Sequence, residues 1–128
     1  AFSGVAGHAG LFSNAEDLTR LLNLLNHNGT YGRKRYLDIG TVEMFCHSHK
    51  GPLGWQKSQI SNTVILSHSC FTGTFVASAP VERLSIVLLT NRQNKGLTGN
   101  GRYAELAALE QELLQTLTSD LRLPRGYN

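Results

Sequence analysis

The sequence predicts an α/β fold of the α+β type, a three-stranded antiparallel sheet with a C-terminal helix packed on it and a short helical N-terminal part. Three observations predict it. Residues 63–67, 74–78 and 84–90 are short runs dominated by β-branched and aliphatic side chains, each bounded by turn-forming or polar residues. Leu18, Leu21, Leu22 and Leu25 recur at i, i+3, i+4, i+7. Near the end, Tyr103, Leu106, Ala107, Leu113, Leu114 and Leu117 form a second helical stripe broken only by Glu110.

In chain order, residues 4–10 form a glycine-rich loop that contains His8. Ser13 stands three residues before Glu16, a capping box, and Glu16 and Asp17 place negative charge at the positive end of the first helix. Asn26-His27-Asn28-Gly29 ends that helix. Residues 31–36 read as a basic connector with a turn at Tyr31-Gly32 and Arg33, Lys34 and Arg35 facing solvent. Asp38 caps a short second helix through Val42, Met44 and Phe45, with Gly40 acting against it. Residues 47–52 read as loop, Leu53-Gly54-Trp55-Gln56 as a bend or the start of a short strand, and 57–62 as a polar surface connection. Pro80 sets the turn between the second and third strands, where no ladder N–H is needed. Asn100 is the expected cap of the terminal helix, and 121–128 is a tail. The expected organisation of residues 1–128 is a single partial domain: a helical part at 1–50, the sheet at 51–92 and the final helix at 100–119.

The third strand is apolar on both faces apart from Ser85, the pattern of a strand covered on both sides and flanked by neighbours. The chain supplies one neighbour for it in sequence, so a further strand is expected along 84–90, from a missing N-terminal segment or a partner chain. The opening Ala1-Phe2-Ser3, without methionine, agrees with the expectation of a fragment.

The net charge of +3 is scattered, with no basic run interleaved with aromatics, which argues against a nucleic-acid partner. No apolar run is long enough to span a bilayer. Cys46 and Cys70 cannot form the disulfide framework of a small secreted domain, and they assign no compartment. Cys46, His47 and His49 are zinc-type ligands, but the cluster lacks a second pair elsewhere, so no metal is expected.

The chemistry concentrates in His68-Ser69-Cys70-Phe71-Thr72-Gly73, a polar segment at the margin of an apolar sheet. Followed by Thr74-Phe75, a proline-closed hairpin and Ile86-Val87-Leu88-Leu89-Thr90-Asn91-Arg92, it resembles the C-terminal portion of the serine β-lactamase and penicillin-binding-protein superfamily. The resemblance is closest to the class C-like branch that includes esterases and D-alanyl-D-alanine carboxypeptidases. Gly7-His8-Ala9-Gly10-Leu11-Phe12-Ser13 and Leu53-Gly54-Trp55 resemble the segments that precede the active-site strand in that family.

The resemblance implies a partial β-lactamase/transpeptidase-like fold and hydrolysis of an amide or ester through a serine acyl-enzyme, without a cofactor. It implies a small-molecule or peptide substrate and a periplasmic, cell-envelope or secreted setting. His68, Ser69, Cys70 and Thr72 would border the substrate, with Asn91, Arg92 and His8 near the mouth of the site. The backbone N–H of Phe71 would supply half of an oxyanion hole. His68 and Ser69 would hold the substrate carboxylate or assist proton movement, and Arg92 would meet a carboxylate in a bidentate pair.

Two departures stand out. Cys70 occupies the place of the family glycine, and no helix carries Ser-x-x-Lys, nor does a Tyr-x-Asn or Ser-x-Asn loop follow. Without that serine no acyl-enzyme forms on this chain alone. The competing readings are a non-catalytic remnant that binds through the uncovered sheet edge and a small basic binding module.

Overall fold

The computed structural model describes residues 10–48, 51 and 53–120. Helix α1 (Ala15–Asn26) starts one residue later than the capping box predicts. Asn14 is the cap, its side chain accepting from the Asp17 amide at 3.0 Å and donating to the Asp17 carboxylate at 2.9 Å. The cap is thus shifted by one position, and the Asp17 carboxylate returns to the Asn14 side chain rather than to its backbone N–H as in a capping box. At the other end, Asn28 and Gly29 take positive φ and the Gly29 amide returns to the Leu24 carbonyl at 2.8 Å. A Cβ at Gly29 would lie 2.3 Å from the Leu37 carbonyl oxygen, so only glycine lets the chain turn here.

The basic connector is a small hairpin, β1 (Thr30–Tyr31) paired with β2 (Lys34–Arg35). Asp38 caps α2 (Ile39–Cys46) as expected, accepting from the Gly40 amide. Val42 and Cys46 turn inward, while Met44 and Phe45 are exposed.

The sheet has four strands rather than three, in the order β3-β4-β5-β6, antiparallel throughout: β3 (Gln56–Ile60), β4 (Thr63–Ser69), β5 (Thr74–Ala79) and β6 (Leu84–Leu89). The added strand is the polar connection at 57–62. Its side chains are almost all exposed, so it carries no hydrophobic alternation; the tight turn at Ser61 and Asn62 and the ladder to β4 make it a strand.

The pleat gives the sheet two distinct faces. Ile65, Phe75, Ala77 and Ile86 face α3 (Ala107–Asp120) and pack with Leu114, flanked by Leu113 and Leu117. Leu66 faces the opposite way and packs with Val42, Cys46, Leu25, Leu37 and Trp55. Here α1 is fastened by amides as well as by leucines. Asn26, only 7% exposed, donates to the Leu84 carbonyl at 3.2 Å and to Ser85 Oγ at 3.0 Å, and accepts from Ser78 Oγ. Ser85 in turn donates to Asn23 at 3.0 Å. Among the described residues β6 pairs only with β5, and its outer edge is open.

The last helix starts at Ala107, not at Asn100. The Asn100 side chain accepts from Thr98 Oγ1 and from the Arg102 amide, closing a loop that Gly101 carries through positive φ. The cap residue is spent on an Asx-type turn instead of a helix start.

Candidate functional site

β4 ends in the polar segment singled out by sequence, and the chain reverses through it into β5. The Cys70 amide donates to the Thr74 carbonyl at 2.8 Å and the Gly73 amide to the Cys70 carbonyl at 3.0 Å, so residues 70–73 form a closed turn. Gly73 is its buried pivot, with φ +101; a Cβ there would stand 2.8 Å from Thr90 Oγ1, 3.0 Å from Leu106 Cδ1 and 3.1 Å from the Arg92 amide.

The end of β6 braces this turn. The Arg92 amide donates to the Thr72 carbonyl at 3.0 Å, Thr90 Oγ1 donates to the Gly73 carbonyl and Arg92 Nε donates to the Phe71 carbonyl. The Arg92 guanidinium also lies over the Phe71 ring, 4.9 Å from its centroid, and Tyr103 meets that ring edge-on at 5.7 Å and 84°. Phe71 itself is 61% exposed, so its ring is pinned from the protein side and presented outward.

Strand parity separates the expected site residues. His68 lies on the face of Leu66, towards α2, and is exposed at the strand end opposite Val76. Ser69 lies on the opposite face and donates to the Glu110 carboxylate at 2.7 Å. Cys70 and Thr72 are exposed neighbours, with Thr72 Oγ1 3.7 Å from the thiol sulfur. The Thr72 backbone N–H and hydroxyl, placed to hydrogen-bond that sulfur, hold the Cys70 thiol below the ordinary cysteine range. Burial has the opposite effect on Cys46, whose thiol is pushed up. Asn91 is exposed and accepts from the Gln93 amide at 3.0 Å. His8 and His49 lie outside the described residues. Among the described residues, no group of three or more His, Cys, Asp or Glu side chains could hold a metal ion, and no helix is long and apolar enough to cross a membrane.

The structure thus gathers His68, Cys70, Phe71, Thr72, Asn91 and Arg92 at one end of the sheet and turns Ser69 towards α3. Sequence reasoning missed Thr90, Tyr103 and Glu110. Glu110 had a signal, a lone carboxylate on an otherwise apolar helix stripe. Thr90 and Tyr103 had none, because their roles depend on where β6 and the following loop end up relative to Gly73 and Phe71.

Residues 2–110 match the family model described as Beta-lactamase. Over 106 residues the chain is 32% identical to an Escherichia coli K12 protein named "Putative D-alanyl-D-alanine carboxypeptidase". A protein of the same name from Salmonella enteritidis PT4 is also 32% identical over 106 residues, and one from Salmonella paratyphi B is 31% identical over 108. Each match covers 72% of this chain but only 24% of the relative, so the chain spans about a quarter of the length of these proteins. No solved structure gives a significant match. With the family model covering most of its length, and with its mixed helices and antiparallel sheet of the expected kind, the chain belongs to the β-lactamase family of serine hydrolases.

Proposed function

We propose that the chain is the C-terminal, third-motif part of a hydrolase that cleaves an amide or ester bond through a serine acyl-enzyme, a D-alanyl-D-alanine peptide or a β-lactam being the substrate class. The observation that supports this reading is the braced turn at 70–73, which holds the backbone of Cys70 and Phe71 directly after His68 at the end of β4. The Phe71 N–H supplies one oxyanion donor, and a rigid turn keeps that donor aimed without reorganisation. His68 assists proton movement or holds the substrate carboxylate beside it. Ser69 reaches a substrate carboxylate only by giving up its bond to Glu110. Arg92 is already committed through Nε to the Phe71 carbonyl, so any bidentate grip on a carboxylate uses the rest of its guanidinium fork. Asn91 and Thr72 border the same mouth.

The nucleophile comes from a segment outside these residues, and a missing segment or partner chain would pair along β6, whose outer edge is open among the described residues. The same open edge favours a second reading, a non-catalytic chain that binds a partner strand there. Nitrocefin and p-nitrophenyl ester assays separate the two. The chain alone should turn over neither substrate, while the polypeptide from its full reading frame should turn over at least one and lose that activity when its Ser-x-x-Lys serine is replaced. Turnover by the chain alone that disappears in Ser69→Ala would overturn the proposal, and an inactive full-length protein would favour the binding reading.

A further inference from the structure

A cavity of about 350 Å³ opens beside the 70–73 turn, lined by Phe71, Arg92, Leu97, Arg102, Tyr103 and Glu105 together with Gly101. That volume is at the small end of ligand sites, enough for a single side chain and its attached polar group. Its walls have two characters. Phe71, Tyr103 and Leu97 supply an aromatic and aliphatic surface whose central ring is fixed by the Tyr103 edge and the Arg92 guanidinium. Arg102 and Glu105 supply one charge of each sign.

These two charges are available. The ion pairs among the described residues are those of Arg20 with Glu16 and Asp17, so Arg102 and Glu105 are not joined to each other although both line the cavity and are exposed. Arg92 is the third charge: its Nε is held by the Phe71 carbonyl and its guanidinium by the Phe71 ring, but its positive charge remains in the lining. The Arg102 amide is held by Asn100 and its carbonyl by Thr98, which anchors the backbone and leaves the guanidinium free to receive a ligand.

We propose that this cavity binds a zwitterionic free amino acid with a large apolar side chain. The side chain packs on Phe71, Tyr103 and Leu97, the carboxylate pairs with Arg102 and the ammonium with Glu105. Arginine suits a carboxylate because its planar fork donates in parallel. A ligand carrying both charges meets both side chains, whereas an anion alone would leave the Glu105 carboxylate unpaired. Partly solvated ion pairs are weak, so the affinity is modest, with Kd on the order of 1 mM. The cavity shares Phe71 and Arg92 with the proposed hydrolase site, but ligand binding there needs no acyl-enzyme.

The test is a titration of the chain with DL-phenylalanine, followed through the ring resonances of Phe71 and Tyr103. Saturable shifts are expected. Glycine, 3-phenylpropionate and phenethylamine, which lack in turn the side chain, the ammonium and the carboxylate, should each bind roughly tenfold more weakly or worse. Arg102→Ala and Glu105→Gln should each weaken phenylalanine binding several-fold while the amide spectrum shows an unchanged fold. Absence of a saturable shift, equal binding of 3-phenylpropionate or phenethylamine, or undiminished binding in both variants would overturn the proposal. Because no step reads turnover, failure here is distinguishable from failure of the acyl-transfer reading.

Discussion

Ser69 Oγ donates to the Glu110 carboxylate across 2.7 Å, tying the last residue of β4 to the first turn of α3 over a sequence separation of 41. The bond sits beside the segment from which His68 and Cys70 project, so it fixes the strand end that the proposed site requires. A hydroxyl bound to a carboxylate at a partly solvated position contributes about 1 kcal/mol. Ser69→Ala and Glu110→Ala should each lower unfolding free energy by roughly that amount in urea titrations, and the double variant should lose less than their sum. Full additivity would mean that the pair is not coupled.

Asn26 is a stronger dependency. Its amide serves the Leu84 carbonyl, Ser85 and Ser78 at once, inside the contact between α1 and the sheet. Asn26→Ala removes all three bonds and leaves buried polar groups without partners, a change worth about 2–3 kcal/mol. A fall in the urea midpoint equal to that loss divided by an unchanged slope is the expected result.

Gly73→Ala should also be costly, for a steric reason. The left-handed backbone and the close approach of Thr90, Leu106 and the Arg92 amide leave no room for a methyl group, and the Leu106 and Arg92 atoms belong to the packed brace. A loss of at least about 2 kcal/mol is expected. Loss of the Phe71–Tyr103 ring contact in NMR spectra would show that the turn has opened.

The two thiols should separate by pH and by accessibility. Cys70 is exposed with its thiol held low, so below the ordinary cysteine range it carries more thiolate than a free cysteine does. Iodoacetamide should therefore label Cys70 first, with a pH midpoint below that of free cysteine. Cys46 is only 2% exposed and its thiol is pushed up, so it should resist labelling until the protein unfolds. Its raised value also has a sign for stability. Burial favours the protonated thiol, so that contribution is complete below the unfolded-state value and is lost as alkaline pH rises through the folded one. Mass spectrometry of labelled peptides across pH checks both statements.

Local pattern was enough for much of this molecule. The leucine spacing and the glycine that ends α1, the Asp38 cap, the runs that became β4, β5 and β6, and the polar margin from His68 to Gly73 all follow from short-range periodicity and turn chemistry. Those signals depend on residues close together in sequence, and the chain states them directly. What tertiary structure decided lies where distant residues compete for one group. Gln56–Ile60 is a strand because β4 offers it a ladder, not because its side chains prefer one. Ser69 turns to α3 because strand parity brings it to Glu110, 41 residues away in sequence. Hydrogen bonds of this kind are settled only when the sheet and helices have packed, since packing determines which donor meets which acceptor.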